Sequence, residues 1–301
     1  MASIYILAHL RLKRNKTLHK IIRILSVYES ELVVKYTEGQ GHMSEMAASL
    51  PETCHWVFVA GGDGSLHEAV NGLMRLSHRP VLTLIPMGSG NDFARTLNIP
   101  SAEKWAIIKR DQWIQRDIDL IYLSCHDVNG QETTRFSVNI ADVGIGGEIA
   151  QWLHRVPDFL GPGIKYSLAV VLGFIRYRKR RFTIRAEGLE YTGPVLSLCM
   201  ANGRYFGNGL GISPFSDPSD GMMSLACFGS LTLWDYIRHL KQIRRAEPVA
   251  DKRVFYYQTT WVEVDSPDSR SPIDMDGELG GYTSLKAKVL PRAIRFAIPP
   301  V

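Results

Sequence analysis

A glycine-rich loop in the first third of the chain has the residue types of a phosphate-binding site. The apolar run 58–60 leads into Gly61-Gly62-Asp63-Gly64-Ser65, and apolar residues at helical spacing follow. Glycines let backbone N–H groups approach an anion, the start of the helix attracts negative charge, and Ser65 adds a hydroxyl donor. The Asp63 carboxylate would repel phosphate unless a cation such as Mg²⁺ lies between them. The loop therefore predicts either a site for a metal-bound phosphate or a tight turn whose aspartate caps the helix.

A second loop of the same kind begins at Pro86, 25 residues after Gly61. Residues 86–95 read Pro-Met-Gly-Ser-Gly-Asn-Asp-Phe-Ala-Arg, follow an apolar run and open another helical segment. In an open α/β sheet, ligands bind outside the carboxyl ends of the strands, so two such loops can hold one nucleotide from two sides. The pair favours nucleotide binding over two unrelated turns.

Three carboxylates alternate in the segment Asp274-Met275-Asp276-Gly277-Glu278. On an extended backbone they would lie on one face, where crowding raises the pKa of a carboxyl group and can produce a proton acceptor at neutral pH. The same residues could instead form a solvated acidic hairpin tip.

Two further segments have local explanations as well as functional ones. Residues 217–221, Asp-Pro-Ser-Asp-Gly, are by themselves typical of a turn between strands. Asn202 and the spacing of Gly207, Gly209 and Gly211 predict either close approach of the backbone to a ligand cleft or a β-bulge.

The elements that must position these residues change in character near residue 120. Before that point short apolar runs alternate with helical segments, which predicts βα units on a parallel sheet. After it β-rich runs predominate and indicate a mostly antiparallel domain, interrupted by helices at 164–178 and 233–245. We expect domains at residues 1–122 and 123–291, with a last strand at about 292–301 that could return to the first domain.

Taken together, the motifs resemble the diacylglycerol kinase catalytic-domain family. Residues 61–65 resemble the family's GGDGT loop with Ser65 in place of threonine, and residues 86–95 resemble its P-x-G-T-x-N-D-F-A-R loop with Ser89 in place of threonine. The resemblance covers nearly the whole chain and looks closest to the soluble bacterial YegS-like lipid kinases. It implies a nucleotide-binding α/β domain like that of NAD kinase and diacylglycerol kinase, followed by a β-sandwich-like domain for lipid substrate and metal.

This resemblance implies an ATP-dependent lipid kinase that transfers the γ-phosphate to diacylglycerol or a related lipid alcohol in the cleft between the domains. Glu278 matches the position of the catalytic base, with Asp276 as the alternative. Mg²⁺ would be held by the Asp220 carboxylate and by the carbonyls of Asp217 and Met222. The residues implied to contact the nucleotide are Thr37, Gly61, Gly62, Asp63, Gly64, Ser65, Leu66, His67, Ser89, Asn91 and Asp92.

Two places depart from the family's pattern. The family usually has N-P-x-S/A-G after its first strand, whereas this chain has His9-Leu10-Arg11-Leu12-Lys13-Arg14, whose basic side chains either replace backbone donors to phosphate or form a solvated face. Ser224 stands near the place of a further acid, which predicts weaker metal binding. Because the first loop lacks Pro and Gly, a catalytically silent nucleotide- or lipid-binding protein stays open. An NAD kinase or sugar-phosphate kinase also stays open, since related folds share GGDG.

The composition indicates a folded globular protein but does not identify a binding partner. The 301 residues are 45% hydrophobic and 22% charged, as in a folded protein long enough for two domains. The net charge of +5 selects no particular anion, and we expect no nucleic-acid partner. Four separated cysteines predict neither a metal cage nor a disulfide framework.

The sequence predicts a cytoplasmic protein. It shows no basic-then-apolar leader and no apolar run near the ~20 residues that span a bilayer. The basic residues of 176–181 follow the apolar stretch of the helix predicted at 164–178. They indicate either peripheral docking on anionic lipid at the inner membrane face or an ordinary basic helix end. The oligomeric state is not predicted.

Overall fold

The computed structural model divides into two compact units. Unit 1 comprises residues 1–118 and 292–301, and unit 2 comprises residues 119–291. The structure describes residues 3–28, 31–105, 112–153, 156, 162–177, 180–266 and 270–300.

Unit 1 alternates strands with helices, as the apolar periodicity predicts. Its elements in chain order are β1 (Ser3–Ala8), a 3₁₀ helix (Leu10–Leu12), α1 (Lys16–Tyr28), β2 (Leu32–Tyr36), α2 (His42–Ala48), β3 (Cys54–Gly61), α3 (Asp63–Leu73), β4 (Val81–Pro86), α4 (Asp92–Thr96) and α5 (Ala102–Trp105).

The strands of unit 1 form a parallel sheet in the order β2–β1–β3–β4. The chain moves from β1 to β2 on one side and then to β3 on the other side of β1, so the strand order reverses between β1 and β3. Such a switch point opens a crevice at the carboxyl ends of the two strands, which is where ligands bind in open α/β sheets. Here those ends carry the loop at residues 9–14 and the glycine loop 61–65.

Unit 2 is built mainly from strands. Its elements are β5 (Ile114–His126), which starts in unit 1, then β6 (Glu132–Ser137), β7 (Ile140–Gly144), α6 (Ile145–Leu153), α7 (Pro162–Arg176), β8 (Arg180–Ala186), β9 (Leu189–Val195), β10 (Ser197–Ala201), β11 (Met223–Phe228), α8 (Leu233–Arg244), β12 (Val254–Thr259), β13 (Trp261–Asp265), β14 (Pro272–Met275) and β15 (Glu278–Ile298).

Antiparallel pairing dominates unit 2, with the order β12–β11–β10–β7–β14–β15 and with β13, β8 and β9 continuing from β15. Side chains from opposite faces of these strands fill two separate apolar cores. One core is formed by side chains on one face of the strands. The other core lies on the opposite face and includes Cys199, Ala226 and Phe228. The predicted pairing of a parallel α/β domain with an antiparallel β-rich domain is confirmed.

The last strand leaves unit 2 and ends in unit 1. Phe296 pairs in parallel with Leu82 of β4, and Thr83 donates its hydroxyl to Ala297 O at 2.8 Å. The end of β15 therefore extends the parallel sheet of unit 1.

The helices of unit 2 include one that the sequence pattern missed. Helix α6 begins at Ile145 and has Gly146 and Gly147 in its first turn, and it was not among the helices expected in the second half. Those glycines fit here because a Cβ at Gly147 would lie 2.7 Å from the carbonyl oxygen of Pro272. Among the described residues, no helix is both long and apolar enough to cross a bilayer.

Candidate active site

Three loops of unit 1 are tied together at the carboxyl edge of its sheet. His9 N donates to Ala60 O at 3.0 Å, and Leu10 N donates to the Thr37 hydroxyl oxygen at 2.9 Å. Thr37 itself is 3% exposed. Its hydroxyl therefore holds the loop after β1 beside the ends of β2 and β3, and its predicted contact with nucleotide stays a prediction.

The two glycine loops meet backbone against backbone. Met87 N donates to Gly61 O at 2.8 Å, and a Cβ on Gly62 would lie 2.9 Å from Gly88 Cα. No side chain fits between these positions, because real Cβ atoms do not approach so closely. The structure thus brings residues 61–65 and 88–92 into one site, as two loops at the same sheet edge predict.

Asp63 links the same two loops through its carboxylate. Its Oδ2 accepts from Asp92 N and its Oδ1 accepts from Phe93 N, each at 3.1 Å. Both N–H groups belong to the first turn of α4, so Asp63 caps the start of that helix. Asp92 is 4% exposed. The capping role that the sequence left open therefore exists, but across the two loops.

The tip of the second loop is closed by Asn91, whose backbone is left-handed at φ 54°. Its side-chain amide accepts from Gly88 N at 3.0 Å and donates to Gly88 O at 2.8 Å. Asparagine tolerates this conformation and supplies both partners. Ser89 lies between them and is exposed, so its hydroxyl faces solvent at the tip.

Helix α3 carries two more of the residues predicted to contact nucleotide, Leu66 and His67. It also carries Glu68, which the motifs did not indicate. Leu66 and His67 are buried, and Asn71 donates to the carbonyl oxygen of His67 at 2.9 Å. Glu68 accepts from Gly41 N at 2.9 Å and from Met43 N at 3.2 Å, which attaches the start of α2 to α3.

The loop after β1 is ordered although it lacks proline and glycine. It forms the 3₁₀ turn at Leu10–Leu12, capped by His9 Nδ1, which accepts from Arg11 N at 3.2 Å. The side chains of Arg11, Lys13 and Arg14 are exposed at the switch point. Cations there can attract phosphate in place of backbone donors.

In unit 2 the acidic segment forms the tip of the β14–β15 hairpin. Asp276 and Gly277 have φ angles of 55° and 94°, the two left-handed residues of a tight two-residue turn. Asp274 stands opposite Leu279, and Met275 stands opposite Glu278. The expectation that all three carboxylates share one face of an extended strand is therefore wrong, because the turn reverses the chain between them.

Asp276 is 4% exposed and accepts four hydrogen bonds. The donors are the Ser137 hydroxyl at 2.7 Å and the backbone N–H groups of Val138, Asn139 and Ile140, each at 3.0 Å. A carboxylate engaged in this way anchors the β6–β7 turn beneath the hairpin. Glu278, which is half-buried, is left as the stronger candidate for the base.

Asp274 lies beside a second buried acid, Asp142, its direct partner across β14 and β7. Burial raises the pKa of Asp142 to about 6, against the effect of a hydrogen bond from the Ser197 hydroxyl at 2.5 Å. Burial, with the charge of Asp142 next, holds the pKa of Asp274 well above its usual range. The pair of Asp142 and Asp274 therefore retains a proton that two exposed carboxylates would lose.

The predicted metal segment is a turn surrounded by acids. Asp217 Oδ1 accepts from Ser219 N at 3.1 Å, and Asp220 Oδ1 accepts from Met222 N at 2.9 Å. Asp119, which the motifs did not indicate, is 1% exposed and accepts from Gly221 N at 2.7 Å. Burial and then the nearby charges of Asp217 and Asp119 raise the pKa of Asp220.

The predicted ligands are the Asp220 carboxylate and the carbonyls of Asp217 and Met222. Their chemistry fits a hard cation, since carboxylate and carbonyl oxygens are the ligands that Mg²⁺ and Ca²⁺ prefer. Among the described residues, no group of three or more His, Cys, Asp or Glu side chains is arranged to hold a metal ion. The predicted set has one carboxylate and two carbonyls, and it stays a prediction.

A buried asparagine connects the acidic turn with the hairpin. The Asn202 side chain donates to Asp119 O and to Val138 O, both at 2.8 Å. Val138 N in turn donates to Asp276. The hairpin and the acidic turn of unit 2 are therefore held in one hydrogen-bond network.

The glycine-rich segment before the acidic turn packs closely on the residue that follows α8, and its predicted approach to a ligand cleft stays a prediction. Phe206 and Leu210 bridge around a tight turn, and a Cβ on Gly211 would lie 2.7 Å from Ala246 N, just after α8. The small residue lets this segment pack against the end of the helix.

An apolar cavity of about 90 Å³ is lined by residues of helices α6, α7 and α8 in unit 2. Most of its lining is aliphatic or aromatic, with Ile149, Val170, Phe174 and Tyr236 among the helix residues. Asp142 and Ser197 also line it, so its wall includes the acid that pairs with Asp274. Cavities of this composition accept hydrocarbon rather than polar groups.

The fold and these sites match known protein families. Residues 11–123 match the diacylglycerol kinase catalytic domain, and residues 139–298 match the YegS C-terminal NAD kinase beta sandwich-like domain. This chain is therefore a two-domain kinase and belongs to the diacylglycerol kinase catalytic-domain family, in its YegS-like branch.

Individual relatives agree with this assignment. A "Probable lipid kinase YegS-like" from Shewanella frigidimarina (strain NCIMB 400) is 29% identical over 250 residues, covering 81% of this chain and 76% of the relative. A "Diacylglycerol kinase" from Bacillus subtilis (strain 168) is 29% identical over 258 residues, covering 81% of this chain and 77% of the relative. The crystal structure of a diacylglycerol kinase from Bacillus anthracis str. Sterne superposes with a TM-score of 0.72 at 18% identity, covering 99% of this chain and 97% of that one. The last match shows the fold.

Proposed function

We propose that this protein uses ATP and Mg²⁺ to phosphorylate the hydroxyl group of a membrane lipid, diacylglycerol or a related lipid alcohol. The family assignment supports a lipid kinase, and the acceptor is the part that the proposal adds. We further propose that unit 1 binds ATP through residues 61–67 and 89–92 with Thr37, and that unit 2 supplies the acceptor site and the base.

The observation that carries the proposal is the apolar cavity of unit 2 and its acidic wall. Val170 and Phe174 offer a surface for an acyl chain, whereas Asp142 is the in-register neighbour of Asp274 at the base of the β14–β15 hairpin. A molecule with a hydrocarbon tail and a polar head matches both parts. A dinucleotide such as NAD matches neither, because the lining offers few donors for its phosphates and hydroxyls.

In this mechanism the lipid hydroxyl oxygen attacks the γ-phosphorus of ATP. A new oxygen–phosphorus bond forms, the bond to the β,γ-bridging oxygen breaks, and ADP leaves with that electron pair. The Glu278 carboxylate accepts the hydroxyl proton. Such general-base help is worth ~10²–10⁴ in rate, and positioning of the reactants with neutralisation of phosphate charge supplies most of the remainder.

Each unit contributes positioning through its own contacts. The backbone N–H groups of the glycine loops and the start of α3 would face the phosphates, while exposed Arg11, Lys13 and Arg14 add positive charge. Asp220 with the carbonyls of Asp217 and Met222 would hold Mg²⁺, which supplies charge neutralisation and local rigidity when bound. Asp276 keeps the hairpin that carries Glu278 in place.

The test is Mg²⁺-dependent transfer of labelled γ-phosphate to a panel of lipid alcohols in detergent micelles. The panel contains diacylglycerol, a sphingoid base and phosphatidylglycerol, with NAD as a non-lipid acceptor. Glu278→Gln is the test variant, and Glu190→Gln, an exposed glutamate on β9, is the matched control.

A labelled lipid with wild type and the control, but not with Glu278→Gln, would support the proposal and name the acceptor. Label on NAD alone would favour the small-molecule kinase instead. ATP binding without product on any acceptor would favour a silent binding protein. The variant Arg11→Gln, Lys13→Gln, Arg14→Gln would then show whether the loop after β1 holds the nucleotide, because its ATP affinity should fall several-fold.

A further inference from the structure

Asp274 lies beside the residues on both sides of Glu278. Gly277 N, which precedes Glu278, donates to Asp274 Oδ1 at 2.7 Å. Leu279, which follows Glu278, is the partner of Asp274 across the β14–β15 hairpin. Asp274 is buried, whereas Leu279 is exposed. The candidate base therefore stands between two residues that both adjoin the same buried aspartate.

The bond from Gly277 restrains the most flexible position of the hairpin tip. Gly277 has a φ angle of 94°, and a Cβ at this position would meet nothing within 4 Å. The space around it is open, so packing does not confine this residue. Glycine has more backbone freedom than any other residue, and a hydrogen bond to its N–H group excludes many of its conformations. The direction in which the chain enters Glu278 thus depends on Asp274.

Asp274 belongs to a row of residues that crosses the sheet. Cys199 of β10 stands opposite Asp142 of β7, and Asp142 stands opposite Asp274 of β14. Asp274 in turn stands opposite Leu279 of β15. The thiol of Cys199 donates to Asp142 Oδ1 at 3.4 Å, and Asp142 is 1% exposed. Because Asp142 also lines the apolar cavity, the row connects the proposed acyl-chain site with the tip that carries Glu278.

A proton retained by Asp142 and Asp274 keeps this row intact. Two ionised carboxylates buried opposite each other would repel, and Asp274 would move away from Gly277. Burial, with the charge of Asp142 next, holds the pKa of Asp274 well above its usual range. A protonated carboxyl group still has an oxygen that accepts a hydrogen bond. Asp274 can therefore stay bonded to Gly277 N without adding a negative charge beside Glu278.

We propose that Asp274 is a positioning residue that fixes the Glu278 carboxylate through its contacts with Gly277 and Leu279. This role rests on the proposed function, in which Glu278 is the base. Asp276 attaches the hairpin to the β6–β7 turn, whereas Asp274 determines the shape of the tip itself. A base must lie within hydrogen-bond reach of the proton that it accepts, and a displacement of about 1 Å can lower the rate on the order of 100-fold.

Steady-state kinetics of the full chain test this role, with ATP and diacylglycerol or the panel lipid that wild type phosphorylates fastest. Asp274→Ala removes the acceptor of Gly277 N, whereas Asp274→Asn keeps an oxygen there and cannot ionise. Thr259→Ala is the control for lost stability. Thr259 is also buried and donates to Trp261 O at 2.9 Å, but it lies on β12, with β11, β10 and β7 between it and β14.

Asp274→Ala should lower kcat by about ten-fold or more and change the KM for the lipid by about two-fold at most, because a displaced base weakens only the transition state. Asp274→Asn should recover most of this kcat. Thr259→Ala should lower the melting temperature and keep the kcat of wild type. If Asp274→Ala does not fold, Asp274→Leu takes its place, since leucine has a similarly branched side chain that accepts no hydrogen bond.

The hydrogen bond to Gly277 can also be observed without catalysis. Asp-Gly occurs three times in the chain, at 63–64, 220–221 and 276–277. Cell-free synthesis with ¹³C-carbonyl aspartate and ¹⁵N-glycine therefore selects three amide signals in an NMR spectrum. The signal of Gly277 should shift in Asp274→Ala and stay near its wild-type position in Asp274→Asn. The signals of Gly64 and Gly221 should remain unchanged in both variants and serve as internal controls.

Four results would overturn the proposal: a kcat of Asp274→Ala within about two-fold of wild type, an equal loss of kcat in Asp274→Asn, an equal loss in Thr259→Ala, or a Gly277 signal that Asp274→Ala does not move. The second would assign the effect to charge, and the third to lost stability. No turnover by wild type on any lipid of the panel would remove the kinase proposal instead. The Gly277 signal would then decide by itself whether Asp274 holds the segment that carries Glu278.

Discussion

Gly62 and Gly88 face each other with no room for a side chain on either residue, and this contact joins the two glycine loops of unit 1. A Cβ on Gly62 would lie 2.9 Å from Gly88 Cα. The backbone N–H groups of both loops can therefore approach one anion together, which separate turns could not do.

We expect Gly88→Ala to weaken both folding and nucleotide binding. The added methyl group must displace the loop at Gly62, and overpacking of this kind costs about 1–3 kcal/mol. Urea unfolding and ATP titration would measure the two effects. Gly39→Ala is the matched control, because a Cβ at Gly39 meets nothing within 4 Å. Equal ATP affinity in the Gly88 variant would show that the loops do not need this contact.

Asp63→Asn should destabilise unit 1 by about 1 kcal/mol. The carboxylate accepts from two N–H groups at the start of α4, whereas an amide has one oxygen and presents hydrogens to the other N–H. The free energy of unfolding measures this loss. If the carboxylate also faces a metal-bound phosphate, the Mg²⁺ dependence of ATP binding should change as well. A variant as stable as wild type would contradict the capping role.

The two carboxylates of the hairpin should separate stability from activity. Asp276→Asn replaces an acceptor of four hydrogen bonds with an amide that cannot accept them all, and a buried donor left unpaired costs about 1–3 kcal/mol. Glu278→Gln should leave stability near that of wild type but abolish most phosphate transfer. Parallel thermal melts and transfer assays compare the two variants. Normal turnover in Glu278→Gln would remove its assignment as the base.

Asp142→Asn should make the protein relatively more stable as pH rises. The pKa of Asp142 is raised from 3.8 to about 6 in the folded state. The contribution of protonated Asp142 to the free energy of unfolding is therefore fully present below pH 3.8 and is lost as pH rises through about 6. A shift of about two pKa units corresponds to about 3 kcal/mol. The amide avoids this loss and can still accept from Ser197.

Urea unfolding of wild type and variant at several pH values between 4 and 7 checks this prediction. The difference in unfolding free energy should grow in favour of Asp142→Asn across that range. A difference independent of pH would show that Asp142 does not retain its proton in the folded protein.

Val170→Phe should discriminate between acceptors by chain length. Val170 is 4% exposed and lines the apolar cavity, so a larger side chain occupies part of the space proposed for an acyl chain. We expect a several-fold higher KM for long-chain diacylglycerol and little change for a short-chain analogue. Kinetics with both acceptors measure the ratio. An equal change for both would place the acyl chain elsewhere.

Much of the architecture follows from local pattern. Continuous apolar runs between helical segments are typical of parallel strands buried on both faces, and they identified β1, β3 and β4 in the first half. The glycine loops, with their hydroxyl residues at Ser65 and Ser89, were sufficient to indicate the family. These signals are local because each depends on backbone conformation or burial over a few residues.

The sequence by itself therefore determined the fold class, the family and the two loops at which phosphate is expected. Only the tertiary structure decided what each polar side chain contacts. Asp63 caps a helix 29 residues away, Asp276 anchors a turn 139 residues away, and Asp119 and Asp142 have no motif of their own. The physical reason is that hydrogen bonds and carboxylate pairs form between segments brought together by strand order and register, whereas motif spacing reports only neighbours along the chain.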